Sequence, residues 1–176
     1  MTNIIFKPDE YPRYSIQATV LLVYKTNTML LMIHVREMEA ALLARVFLGL
    51  LFLFQGYDKI FRIGVSNVIE TIHNPLKEKG IPEFFSKVGA YLTSYIELIC
   101  GFTLIIGFAK YWSMYLLGFD ILFAAVAFGI VEPMWDMRHF FPRMVLLLFL
   151  LIIPSQWDVI SVDYAWSLIK FMHSTL

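Results

Sequence analysis

Five ionisable residues lie inside or at the edges of strongly apolar stretches of the sequence: Arg45, Lys59, Glu97, Asp120 and Arg143. In hydrocarbon an ionised carboxylate is too costly to stand alone, so it pairs with a cation, accepts hydrogen bonds or stays protonated. Ionisable residues at membrane depth face a bundle interior and mark ligand sites, proton pathways or ion pairs. The five residues predict a polar seam, and two interpretations stay open. The seam either fixes the register of the helices or binds a ligand or a proton.

Small residues recur every three or four positions on the same helical faces as the ionisable residues. These small residues are Gly49, Gly56, Ser94, Gly101 and Ala124. They allow transmembrane helices to approach closely, because packing rather than water drives helix association in lipid. The seam is therefore expected where the helices pack most closely.

The depth of each ionisable residue predicts its partner. Glu97 and Asp120 each lie about ten residues into an apolar stretch, which places them about 15 Å deep. Arg45 lies about a third of the way along the first stretch. In an antiparallel bundle we expect the Arg45 side chain to meet Asp120 or Glu97, with Lys59 and Arg143 near the opposite membrane face.

The elements that position these residues are long apolar segments. Of the 176 residues 59% are hydrophobic and 16% are charged, which is more apolar surface than a soluble chain of this length can bury. A membrane-spanning helix needs about 20 apolar residues, and residues 40–57, 88–108, 111–131 and 140–157 come close to that length. They are continuously apolar and longer than barrel strands. The sequence therefore predicts an all-α membrane protein with an antiparallel four-helix transmembrane bundle at residues 39–157.

The two ends of the chain are less regular. Residues 1–38 are predicted to form a short N-terminal extension, and residues 158–176 a C-terminal tail that is compatible with an interfacial helix. Residues 16–35 are apolar at both ends with Lys25 near their centre. They are consistent with two short strands around a turn or with a fifth span, which the polar centre makes costly.

Several classes of function are disfavoured by composition and motifs. The net charge is zero and no basic patch occurs, so no nucleic-acid partner is expected. Cys100 is the one cysteine, which excludes an internal thiol pair. No histidine lies in a clear span, and no metal or nucleotide motif occurs, so no metal site and no cofactor is evident. A quinone or a lipid in the polar seam is compatible with the sequence.

Three segments resemble the DoxX family of small bacterial membrane proteins. They are "ARVFLGLLFLFQGYDKIF", "YIELICGFTLIIGF" and "HFFPRMVLLLFLL", and they occur in the order and spacing of the family's first, second and fourth spans. The resemblance covers about residues 39–157. Residues 1–38 have no counterpart in it, and Asp120 is an additional acid in the third span.

The resemblance implies a four-helix bundle in the bacterial cytoplasmic membrane with both termini inside. Basic residues are divided almost evenly between the two sides, so charge alone does not orient the chain. Family members are linked to quinone-associated redox complexes, which implies a non-catalytic accessory subunit of a redox or cell-envelope complex with other membrane subunits as partners. The alternative is a small lipid, quinone or weak-acid binding or carrier protein that uses the seam. An independent oxidoreductase is the weakest hypothesis, because the chain has no thiol pair or evident cofactor ligand.

Overall fold

The computed structural model describes residues 13–131 and 140–174, which are almost entirely helical. A π-helical turn at Asp58–Arg62 and a 3₁₀ turn at Ser155–Trp157 interrupt the α-helices. The α-helices are α1 (Arg13–Tyr57), α2 (Val65–Glu78), α3 (Glu83–Ile106), α4 (Lys110–Val131), α5 (Phe141–Ile152) and α6 (Val162–Ser174). The all-α prediction is confirmed for the described residues.

The first of two compact units comprises residues 1–37, and its described part is helical. Large apolar side chains between Val20 and Val35 are mostly exposed. The hydroxyl groups of Thr26 and Thr28 donate hydrogen bonds of 2.7 and 2.9 Å to carbonyl groups one turn earlier, which satisfies them inside the helix. The alternative of two strands around a turn is therefore wrong for residues 16–35, whereas the fifth span stays a prediction.

The second unit, residues 38–176, is built around one apolar core. Helices α1, α3, α4 and α5 each contribute side chains to that core, which explains why these helices pack together in this unit. The buried core residues are Leu48, Phe52, Cys100, Leu104, Met114, Leu117, Ile121, Leu147 and Leu150.

The predicted spans differ in how well they match the helices. Helix α3 and residues Lys110–Ile130 of α4 are long and apolar enough to cross a membrane. The first predicted span is the last part of α1, and the second begins at Glu83 rather than at residue 88. These helices supply the faces that carry Glu97 and Asp120.

The fourth predicted span is too long at its C-terminal end. Helix α5 has 12 residues, so it rises about 18 Å, which is less than the hydrocarbon thickness of about 30 Å. Ile153 is extended, with ψ 143°, because the ring of Pro154 disfavours helical backbone in the residue before it. The helix therefore ends at Ile152, and the prediction of residues 140–157 is corrected at this point.

A tight turn joins α3 to α4. Gly107 has a φ of +72°, and its N–H donates to the Leu104 carbonyl group while the N–H of Phe108 donates to the Thr103 carbonyl group. This is the hydrogen-bonding pattern by which a left-handed glycine ends a helix. Helices α3 and α4 pack against each other on either side of the turn, which brings Glu97 and Asp120 to neighbouring helices.

Glycines allow α1 and α3 to approach at backbone distance. A Cβ atom on Gly101 would lie 2.5 Å from the Leu53 nitrogen, and one on Gly56 would collide with the backbone of Leu98. Gly49, one turn before Leu53 on α1, has the same role, because its Cβ would lie 2.9 Å from the Gly101 oxygen. The close approach places the end of α1 and the following π-helical turn beside Glu97.

Candidate functional site

An ion pair joins the π-helical turn to the middle of α3. The Lys59 ammonium group donates a hydrogen bond of 2.8 Å to Oε1 of Glu97. The Glu97 side chain is 3% exposed, whereas that of Lys59 is 20% exposed. The ammonium group is therefore partly accessible, although its carboxylate partner is buried.

Two further charged residues complete this group. Asp120 is buried on α4, and its side chain faces Glu97 across the contact between α3 and α4. The Arg143 guanidinium group at the start of α5 interacts electrostatically with both acids and lies 5.6 Å from the centre of the Phe52 ring. We call Lys59, Glu97, Asp120 and Arg143 the Glu97 cluster.

Both acids of the Glu97 cluster retain an oxygen with no hydrogen-bond donor among the described residues. These atoms are Oε2 of Glu97 and Oδ1 of Asp120, and Oε1 of the neighbouring Gln55 is in the same condition. A buried polar atom without a partner costs free energy of about 1–3 kcal/mol. Such atoms are tolerated where a site is built to receive a donor or a proton.

An apolar cavity lies beside the cluster, bounded by α2, α3 and α4. Its volume is about 280 Å³, and Lys59 lines it. Gly89 and Ala124 belong to its wall. Phe85 and Phe128 also line the cavity, and because both side chains are strongly exposed, the cavity opens at the outer surface of the helices. Helix α2, the amphipathic helix of the first connection, covers one side.

Lys59 is the single charged residue among the described residues that line this cavity. The lining hydroxyl groups already have partners: Thr71 donates to the Asn67 carbonyl group, Thr93 contacts the Ala90 carbonyl group and Ser86 lies 3.3 Å from Nδ1 of His73. A ligand in the cavity therefore meets apolar walls and one ammonium group.

A second group of buried charges lies where the C-terminal segment meets α1 and α4. Asp158 lies between two cations, with Oδ1 3.1 Å from Nη1 of Arg45 and Oδ2 2.8 Å from Nζ of Lys110. The other terminal nitrogen of Arg45 donates to the carbonyl group of Ile160. We call Arg45, Lys110 and Asp158 the Asp158 node. The cavity beside it measures about 10 Å³, which is room for about one water molecule.

Backbone groups attach α6 to the same place. The carboxylate of Asp163 accepts hydrogen bonds of 2.9 and 3.0 Å from the backbone N–H groups of Ala109 and Lys110, which begin α4. An acid at a helix N-terminus is favourable because unpaired N–H groups and the helix dipole point at it. Gly107 lies against Arg45 and Ser161, and a Cβ atom there would overlap both side chains. The C-terminal segment is thus fixed to the turn between α3 and α4.

The structure divides the five predicted residues of the seam between these two groups. It brings together Lys59, Glu97, Asp120 and Arg143. Arg45 was expected to meet Asp120 or Glu97, but that expectation is wrong because Asp158, supplied by the C-terminal segment, is its partner.

Sequence reasoning missed three residues of the Asp158 node and its surroundings: Asp158, Ser161 and Asp163. They were assigned to a C-terminal tail that is compatible with an interfacial helix. One signal was available, because residues 40–57 contain Arg45 but no acid, and the tail contains two acids within six residues. The small residue Ser94 is fully buried and donates to the Ala90 carbonyl group, while Ala124 lines the cavity.

The family model described as DoxX matches residues 40–130. This match covers just over half of the 176 residues and includes the end of α1, the π-helical turn and helices α2 to α4. Neither a curated protein nor a solved structure matches the chain. Lys59, Glu97, Asp120 and the cavity lie within the matched residues, whereas Arg143 and Asp158 lie beyond them.

Proposed function

Since the chain belongs to the DoxX family of membrane proteins, we propose that it is a multi-pass four-helix bundle of the bacterial cytoplasmic membrane with cytoplasmic termini. Two helices of sufficient length, α3 and α4, support this architecture, and α1 and α5 share their core. Helix α6 lies at the membrane interface in this arrangement, because Trp166 and Phe171 are strongly exposed and aromatic side chains favour that region. Reporter fusions at the C-terminus test the orientation, and an active periplasmic reporter there would contradict it.

Within this architecture the protein binds a small membrane-soluble molecule, a quinone or a lipid. The observation that carries this proposal is the open apolar cavity of about 280 Å³ with Lys59 as its single charged lining residue among those described. Ligand sites are mostly apolar with a few placed polar groups and measure about 300–1,000 Å³, so this cavity is at the small end. One chain or one ring fits it better than a lipid with two chains.

Lys59 orients the ligand. A lysine ammonium group has three donors, and Glu97 takes one of them. The others are available to a carbonyl or acid oxygen at the end of an apolar ligand, since the Lys59 side chain is 20% exposed and lines the cavity. The ligand's apolar part lies among α2, α3 and α4.

A pair of substitutions on α4 tests the binding site. Ala127 lines the cavity, whereas Ala125, two residues earlier, does not. Ala127→Phe fills the cavity and should weaken the binding of decylubiquinone, measured by quenching of tryptophan fluorescence, by at least about tenfold, or about 1.4 kcal/mol. Ala125→Phe adds the same side chain outside the cavity and should leave binding unchanged. Equal affinities of the two variants would contradict the proposed site.

The protein acts as a non-catalytic accessory subunit of a quinone-linked redox or cell-envelope complex. Its one cysteine, Cys100, is buried in the core, so thiol-pair chemistry in such a complex would come from a partner. Purification from native membranes in mild detergent should recover partner subunits in constant ratio with the protein. Recovery of the protein alone, stable and saturable with ligand, would favour the second candidate, a carrier of a lipid or weak acid. The buried acids of the Glu97 cluster beside the cavity support that candidate.

A further inference from the structure

We propose that the cavity accepts single-chain anions and that anion binding at Lys59 is coupled to the uptake of one proton by the Glu97–Asp120 pair. This inference rests on the proposed function, because it concerns the same cavity, and it adds the charge of the ligand and its dependence on protons. It would allow the site to load or release an anionic amphiphile with little change in the total charge of the buried cluster.

The position of Lys59 carries the first step. Its ammonium group is 2.8 Å from Oε1 of Glu97 and also lines the cavity, so one cation faces both the buried acid and the ligand space. An anionic head in the cavity competes with Glu97 for Lys59. Because the lining hydroxyl groups have partners within the protein, Lys59 is the group to which such a head binds.

The burial of the acids carries the second step. Glu97 is 2% exposed and Asp120 is 3% exposed, and each has an oxygen without a hydrogen-bond donor among the described residues. When Lys59 turns to the ligand, Glu97 loses the hydrogen bond that the Lys59 ammonium group donates to it. A buried carboxylate without a partner is costly, and protonation removes that cost. The two free oxygens provide the place where the proton is held.

The charges around the pair fix the stoichiometry. Three charged groups face Glu97: Lys59 from the π-helical turn, Asp120 from α4 and Arg143 from α5. Cys100, on α3, lies near Asp120. Where both acids are ionised, two cations and two acids balance in the absence of a ligand. A bound anion adds one negative charge, and one proton restores the balance in a region where the dielectric constant is low. Arg143 stays with the acids because its guanidinium group lies over the Phe52 ring.

Decanesulfonate is a suitable probe because it is a permanent anion whose own titration does not contribute, and decanol is its uncharged counterpart. Calorimetric titrations of the full-length protein in buffers of different ionisation enthalpy measure the protons taken up. We expect uptake approaching one proton for decanesulfonate over part of the pH range, with affinity falling by up to about tenfold for each unit of rising pH there. Decanol should bind without proton uptake.

Two variants test whether the Glu97–Asp120 pair takes up the proton. Glu97→Gln, alone or with Asp120→Asn, should retain decanesulfonate binding and abolish the proton uptake. Binding of decanesulfonate with no uptake at any pH, or uptake that persists in the double variant, overturns the coupling and leaves the proposed function intact. Failure of both probes and of decylubiquinone to bind overturns the proposed function as well.

Discussion

The Glu97 cluster and the Asp158 node contain the same types of residue in different arrangements. At the node one acid lies between two cations, and the adjoining cavity measures about 10 Å³. At the cluster two acids face two cations, and Lys59 borders a cavity of about 280 Å³. A single carboxylate held from both sides has no freedom to exchange partners. A lysine held from one side can do so.

The difference indicates that stability and function depend on different regions of this fold. The node fixes the turn between α3 and α4 to the C-terminal segment, using Asp158 together with backbone bonds to Asp163. Both regions leave buried polar atoms without a hydrogen-bond partner, but at the node Nη1 of Arg45 and Oδ1 of Asp158 form an ion pair of 3.1 Å with each other. At the cluster the unpaired oxygens belong to two neighbouring acids, Glu97 and Asp120, which is a poorer arrangement for stability. We therefore expect substitutions at the node mainly to affect unfolding, and substitutions of the cluster acids mainly to affect the proton uptake that accompanies binding.

Asp158→Ala should have the largest effect on stability. It leaves Arg45, 3% exposed, and Lys110, 8% exposed, as buried cations without their acid. Removing one partner from a buried ion pair costs about 3–5 kcal/mol, because the remaining charge stays desolvated. Thermal unfolding of the purified protein, followed by circular dichroism, should show a large fall in the unfolding temperature.

The matched control for that variant is Asp58→Ala. Asp58 pairs with Arg62 at 3.1 Å, but both side chains are well exposed, so the pair contributes little. If the two alanine variants unfold at similar temperatures, the node is not the structural joint that its geometry indicates.

Gly107→Ala should have the second-largest effect. Gly107 and Gly80 both have positive φ angles, of 72° and 76°, so alanine strains the backbone by about 1–2 kcal/mol at either position. At Gly80 a Cβ atom meets nothing within 4 Å, whereas at Gly107 it overlaps Arg45 and Ser161. Gly107→Ala should therefore destabilise the protein by about 1–3 kcal/mol more than Gly80→Ala, which is the typical cost of overpacking. Equal unfolding temperatures would show that the turn can move away from Arg45.

The helices and most of the cluster could be predicted from the sequence. Continuous apolar segments predict α3 and α4 because a membrane-spanning helix has a minimum length. Spacing of three and four residues placed Lys59, Glu97 and Asp120 on facing sides, because the same periodicity governs which side chains meet between helices. What periodicity supplies is the face of each helix and not the partner, because depth placed Lys59 near the opposite membrane face whereas the structure pairs it with Glu97.

The partner of Arg45 could not be predicted in the same way. Its acid lies in an irregular segment after Pro154, where helical spacing gives no information about direction. The cavity was also missed, because its walls include α2, whose position over α3 and α4 depends on tertiary packing rather than on the pattern of any one segment. Depth alone predicted Asp120 or Glu97 as the partner of Arg45, because both acids lie in spans of recognisable length.

Glu97→Gln should change stability less than Asp158→Ala or Gly107→Ala. The substitution keeps the shape of the side chain, and Lys59 can turn toward the cavity because its side chain is 20% exposed. We expect a loss of about 1.5–3 kcal/mol, the contribution of one hydrogen bond to a charged group. Glu83→Gln is the control, since Glu83 forms an exposed pair with Lys87 and should cause no measurable change. A loss as large as that of Asp158→Ala would mean that the cluster is also a structural joint.

Ser161→Ala should have the smallest effect and separates the two regions most clearly. The Ser161 hydroxyl oxygen accepts a hydrogen bond of 3.2 Å from the backbone N–H of Tyr164, so it caps the start of α6. Loss of such a cap costs about 1 kcal/mol. Ser167→Ala is the control, because Ser167 is exposed and only donates to a carbonyl group within α6. Ser161→Ala should lower the unfolding temperature slightly and leave the binding of decylubiquinone unchanged, since α6 does not line the cavity among the described residues. A fall in affinity with Ser161→Ala would show that the Asp158 node and the Glu97 cluster are coupled through α3 and α4, and the separation of stability from binding would then fail.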